Sequence, residues 1–213
     1  MARPPNADAD ATRLRIRAAA GVLFADRGIG SVSVRQIAAE AGVSLAMIHH
    51  YFGSKDALYR ACVDAMYIEL GGLQAELMAA LVPGGSLAEV IERAVRVGFR
   101  FARAHRIANR LLWRQVIEAG TLDAERRARY QEPFLKNLSL ALAAASGRPA
   151  ADWRLPVQSL TFLISRYALS EDSELAFFTE GVDPQDQLSA VEEHLVACAN
   201  QLLTLRPTPE AAS

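Results

Sequence analysis

Apolar positions along this chain recur at spacings of three and four, the period of an amphipathic helix, while β-branched runs stay short. The pattern predicts an all-α protein. A helix is expected from Asp10, a capping residue, to about Arg27, with Ile16, Ala19, Ala20, Leu23 and Phe24 on one face and Gly28 and Gly30 ending it. Two short helices follow. Ser33 opens one, with Gln36 in the capping-box position and Val32 paired with Ile37 as a hydrophobic staple. Ser44 opens the other, stapled by Val43 and Ile48, and Gly42 between them supplies the left-handed backbone of a sharp turn.

Beyond Ser54 the predicted helices lengthen. One runs from Lys55 to about Leu81, weakened at Gly71-Gly72 and ended by Pro83-Gly84-Gly85. Ser86 caps the next, which reaches His105; a shorter one spans Ile107 to Glu118, and another Asp123 to Ala145. Leu155 to Leu169 follows, then an acidic connection from Ser170 to Pro184, a last helix to Leu205 and a Pro-rich tail. The predicted organisation is a disordered arm over 1–10, a helix-turn-helix domain over 11–56, a larger helical domain over 57–205 and a disordered tail over 206–213.

In the last helix Leu188, Val191, Leu195, Cys198 and Leu202 form a seam, and Leu160, Ile164 and Tyr167 share its spacing. Such stripes either pack on their own domain or join two copies of the chain. Charge adds a direction. Residues 1–60 hold eight Lys/Arg against five Asp/Glu, whereas the remainder holds fifteen against nineteen, a mildly basic head on an acidic body.

A pair of short helices around a tight turn has the outline of a helix-turn-helix, which makes double-stranded DNA the expected partner. In the second helix Ile48 and Phe52 face inward, leaving Leu45, Ala46 and His49 to meet base edges in the major groove, with Arg35 of the first helix as a further reader. Ser33 and Ser44 at helix starts, with His50, Tyr51 and Lys55, are the candidate phosphate contacts. Adjacent His49 and His50 point about 100° apart on a helix, so they do not ligate one metal ion, and neither metal nor cofactor is expected. Cys62 and Cys198 lie in apolar helical patterns outside any CxxC pair and read as packing residues.

Phe24 through Leu58, with Gly28, Ser33, Val34, Ile37-Ala38, Ala41-Gly42-Val43-Ser44, Ile48, Phe52, Ser54-Lys55 and Leu58, resembles the amino-terminal domain of the TetR family of bacterial transcriptional regulators. The resemblance covers roughly residues 11–60. It implies a homodimer with a four-helix interface, repression from a palindromic operator, and release by a small-molecule effector bound in the larger domain. The family often carries Tyr where His49 stands and His where Tyr51 stands.

The resemblance also implies a pocket among the helices over 86–169, where Phe101, Trp113, Tyr130, Phe134 and Phe162 are the bulky candidates. The arginines at 93, 96, 100, 103, 110 and 114 read mainly as solvated faces, with an acidic effector as the alternative. An activator of the same architecture, or a dimeric helical adaptor without DNA function, are the other readings. Paired carboxylates, a nucleophile elbow, metal-ligand spacing and a phosphate loop are all missing from the sequence, which argues against an enzyme. With no signal-like amino end and no long apolar run, the expected location is cytoplasmic and off the membrane.

Overall fold

The computed structural model describes residues 5–80, 85–120 and 124–204, and among them there are helices and no strands. The expected helix ends at Leu81, Pro83-Gly84 and Asp123, together with Leu205 and the 206–213 tail, lie outside the described residues. The helices are α1 (Pro5–Ser31), α2 (Val34–Ala41), α3 (Leu45–Phe52), α4 (Lys55–Ala80), α5 (Leu87–Ala104) and α6 (Arg106–Ala119). Then α7 (Ala124–Arg126) passes through a π-helical turn, Arg127–Gln131, into α8 (Glu132–Ser146). A 3-10 turn at Ala150–Trp153 leads into α9 (Arg154–Leu169), followed by α10 (Asp172–Phe178) and α11 (Gln187–Thr204). No helix among the described residues is long and apolar enough to cross a membrane.

Three features depart from the sequence pattern. Helix α1 already begins at Pro5, inside the expected arm, where a proline fits because the first turn needs no amide donor. Helix α10 occupies part of the expected acidic connection. Its burial rests on Leu175 alone while Phe177 and Phe178 are exposed, so it carries little periodic signal. The expected 123–145 helix is interrupted by the π-turn.

Contacts divide the chain into two units. The first comprises residues 1–70 with 105–122, the second 71–104 with 123–213. Helix α6 therefore belongs with α1 to α3, although its sequence position lies within 57–205. Two arginines account for this. Arg114 donates through Nε to the Ala25 carbonyl at 3.0 Å and through Nη2 to that of Asp26 at 2.7 Å, and Arg110 pairs with the Asp26 carboxylate. The core of this unit is Ile16, Phe24, Ile37, Ile48, Leu58 and Leu111, all essentially without solvent contact. Cys62 lies in the same core. Burial pushes its thiol up to about 12, with Arg17 pulling the other way, so it stays protonated and packs as an apolar residue.

The second unit packs Ile91, Phe99, Leu142, Trp153, Leu175 and Leu195 as its centre. Here too the arginines are paired, although Arg93 and Arg100 stay exposed to solvent. Glu192 of α11 is only 8% exposed and accepts from Arg100 Nε at 2.7 Å, Arg100 Nη2 at 2.9 Å and Arg96 Nη1 at 3.2 Å. Arg103 donates to the carbonyls of Ala168 and Ser170, and Arg93 to that of Ala80. Burial disfavours the Glu192 carboxylate, but the hydrogen bonds from Arg100 and Arg96 outweigh it and hold the group below the ordinary carboxylate value.

A carboxyl with a depressed folded value contributes stability above its unfolded value, near about 4.3, and loses that contribution as pH falls through the folded value. Glu192→Gln should therefore lower stability by about 1–3 kcal/mol at neutral pH, with the gap to wild type narrowing in acid. Thermal melts across pH check this; a gap that widened in acid would contradict it.

Candidate nucleic-acid interface

Helices α2 and α3 are each eight residues long and hold their geometry through their ends. At the start of α2 the Gln36 amide donates to Ser33 Oγ at 3.2 Å, while the Gln36 side chain accepts from the Ser33 amide at 2.8 Å. Gly42 sits at φ 61°, ψ 41°, and its amide and that of Val43 close onto the carbonyls of Ala39 and Ala38. The Met47 amide then donates to Ser44 Oγ at 3.3 Å to start α3. Ile37, Ala38, Ala41 and Ile48 are buried, so one face of each helix is anchored and the other is fixed toward solvent.

On that outer face stand Arg35, Leu45, Ala46, His49 and His50, all exposed. Leu45 is 37% exposed. His49 Nδ1 lies 3.0 Å from the Gly53 carbonyl. A carbonyl only accepts, so Nδ1 carries the proton in this bond. Ser33 and Ser44 are exposed at the helix starts. Phe52 is half-buried rather than fully inward, and Tyr51 is half-buried with its ring edge-on to His50 at 5.1 Å.

Lys55 differs most from its expected place. Its ammonium donates to the carbonyls of Ile29 at 2.9 Å and Val32 at 3.1 Å, so two of its three protons tie α4 to the chain leaving α1. Helix α1 breaks just before, at Gly28 (φ 76°, ψ 160°), a backbone conformation that L side chains rarely adopt. A Cβ there would also lie 2.9 Å from Glu118 Oε1 and 3.2 Å from Arg114 Nη1 of α6.

Arg13 is a site residue that the sequence pattern did not single out. Its Nη2 donates to the Tyr51 carbonyl at 3.3 Å, and its guanidinium lies over the Phe52 ring at 5.5 Å, holding the carboxy end of α3. With Arg17, Tyr51 and Phe52 it lines a polar cleft. No local signal links residues 38 apart in sequence.

The effector and dimer candidates scatter. Phe134 lines a cavity in the second unit, but Phe101 is buried beside Gly72, Trp113 lies on α6 of the first unit, Tyr130 packs under Arg129, and Phe162 is 47% exposed. Leu160, Val191 and Leu195 are buried inside their own unit, and Leu160 and Ile164 line the cavity, so these do not form an outer seam. Leu188 and Leu202 are exposed, while Ile164, Tyr167 and Cys198 are half-buried. A spacing of three and four marks a helix face without saying whether it meets its own core or a second copy.

With this geometry in place, comparison with known proteins gives a consistent result. Residues 16–62 match the family model of bacterial regulatory proteins, tetR family. The regulator BetI of Rhizobium meliloti is 38% identical over 78 residues, 37% of each chain. The regulatory protein RaaS of Mycobacterium tuberculosis is 32% identical over 144 residues, 57% of this chain and 64% of that one. The chain thus spans between about a third and just under two thirds of the length of these relatives. A TetR-like regulator from Rhodococcus sp. RHA1 shares the fold with a TM-score of 0.63 at 22% identity, over 89% of this chain and 96% of that one.

Lys55→Ala removes two charge-assisted bonds that hold the α1 exit, so it should cost about 1.5–3 kcal/mol of stability before any DNA is added. Thermal unfolding of the free protein checks this, and an unchanged midpoint would confine Lys55 to a surface role. The capped α2–α3 pair and its outward Arg35, Leu45, Ala46 and His49 agree with the matched family model: residues 16–62 have the helix-turn-helix geometry and are similar to the domain that the tetR family model of bacterial regulatory proteins describes.

Proposed function

We propose that this protein is a sequence-specific transcriptional regulator, acting as a homodimeric repressor that leaves a palindromic operator when a small molecule binds its second unit. The observation that carries the reading is the pinned outer face of α3: a helix of eight residues, capped at both ends, with Leu45, Ala46 and His49 exposed. An inert surface gains nothing from this arrangement, whereas the major groove admits such a helix and reads its side chains.

Leu45 and Ala46 suit a thymine methyl group. His49, with Nδ1–H engaged by Gly53, offers Nε2 to an exocyclic amino group, N6 of adenine or N4 of cytosine. Arg35 suits a guanine edge. Ser33, Ser44, His50 and Tyr51 would hold the backbone, joined by Arg13 and Arg17 from α1, and Lys55 contributes positive charge and the hold on the α1 exit. The exposed Leu155 and Phe162 of α9, with Leu188 and Leu202 of α11, are apolar surface for the second copy that a two-fold operator requires.

Transmission from effector to DNA rests on connectivity. Helix α4 supplies Leu73 and Leu77 to the second-unit cavity and begins with Lys55, and α5 of the second unit runs directly into α6 of the first. In this reading the signal passes to the first unit along these two stretches of chain. Operator half-sites lie about 34–36 Å apart or at multiples of that, so a displacement of a few ångströms is enough to lose simultaneous contact.

The test is binding of the purified protein to DNA from upstream of its own gene against random DNA, over a salt series. The expected result is a salt-sensitive preference for the upstream DNA, and no preference would overturn the reading. His49→Ala should relax discrimination at one A or C position by about 1–3 kcal/mol while leaving other positions unchanged. Uniform weakening across sequences would remove His49 from the readers.

A further inference from the structure

The second unit holds a cavity of about 70 Å³ walled by α4, α5, α8, α9 and α11, with Leu77, Val95, Phe134, Leu142 and Leu203 among its lining. Among the described residues that line it there is no acid, base or histidine. Polar groups come from Thr161 and Ser165 alone, one turn apart on α9. The Thr161 hydroxyl already donates to the Val157 carbonyl at 2.9 Å, so toward the cavity it offers an acceptor. The arginines of α5 are held elsewhere: Arg96 and Arg100 by Glu192, Arg103 by the Ala168 and Ser170 carbonyls, Arg93 by that of Ala80.

We propose that this cavity is the effector site, and that it takes an uncharged, apolar molecule carrying at most one neutral hydrogen-bonding group. The word effector rests on the regulator reading above; the chemistry of the cavity does not. A carboxylate or ammonium entering it would leave water for a site with two hydroxyls and no countercharge, and an ion so placed neutralises or stays out. An apolar guest loses nothing and gains buried area. The cavity is smaller than the roughly 150 Å³ that accommodates benzene in an apolar protein core. Its guest therefore displaces side chains on entry, which couples occupancy to the positions of the helices that line it.

Gly98 of α5 is the place to block it. A Cβ there would stand 3.7 Å from Ile164 Cδ1, so a small addition is tolerated and a leucine projects into the space. The experiment uses the full chain and the neutral fluorescent probe N-phenylnaphthylamine, displaced by octanol or by octanoate at a pH where the acid is ionised. The probe should bind, and octanol should displace it at least about tenfold more tightly than octanoate. Gly98→Leu should weaken the probe by about tenfold or more, and Ile164→Ala, which enlarges the space, should tighten it. Should Gly98→Leu fail to fold, Ile164→Ala alone decides.

Octanoate equal to or better than octanol, probe affinity indifferent to the cavity variants, or no probe binding would each overturn the proposal. Operator binding by the same preparation is measured in parallel. Its loss would sink the regulator reading and leave the cavity chemistry standing, whereas intact operator binding without probe binding sinks the cavity proposal alone.

Discussion

The first unit depends on what becomes of the backbone carbonyls where α1 breaks at Gly28. A helix end leaves acceptors without partners, and those near the core need donors from somewhere. Two cations supply them. Arg114 of α6 takes the carbonyls of Ala25 and Asp26, and Lys55 of α4 takes those of Ile29 and Val32. The broken helix thus gathers α4 and α6 around one point and sets where the chain enters α2. From there the Ser33 box, Gly42 and the Ser44 cap fix α3, and Arg13 returns from α1 to hold its far end. Helix α3, too short to be stable alone, is held at both ends by groups outside it.

The same economy of charge explains the second unit. Arginines that face α11 and the α9 exit are drawn into Glu192 and into backbone carbonyls, which crosslinks α5 to α9 and α11 and leaves the interior apolar. A buried carboxylate is tolerated because two guanidiniums meet it, one of them bidentate. None of these ions lines the cavity of the second unit, whose described lining carries no charge.

Local signals in the sequence were enough for the helix-turn-helix. Caps, staples and the Gly42 turn are interactions over three to five residues, and Ser33, Gln36, Gly42 and Ser44 occupy the structural positions their types predict. The all-helical fold followed from periodicity in the same way. Tertiary assignments were less legible. Lys55 has the spacing of a phosphate anchor yet spans 26 residues to reach Ile29, and Arg13 spans 38 to reach Tyr51. The pairing of Arg96 and Arg100 was not legible because their partner, Glu192, lies 92 residues beyond Arg100. Leu160, Val191 and Leu195 carry a seam's spacing but face their own core, a distinction that only packing makes. Phe162 is as bulky as Phe134, and which of the two points inward depends on the rotation of its helix.

The central claim is that the carbonyls around the α1 break, held by Lys55 and Arg114, set the pose of α3, the helix proposed to read DNA. The most direct measurement is the affinity of Arg114→Met for the upstream DNA of its own gene. The Arg114 side chain bonds to Ala25, Asp26 and Glu118 and to nothing in α2 or α3. The account predicts at least about a tenfold loss of specific binding, with weak non-specific binding and helical content retained, since only the positioning of base contacts is lost. Wild-type affinity in a folded Arg114→Met protein would contradict it.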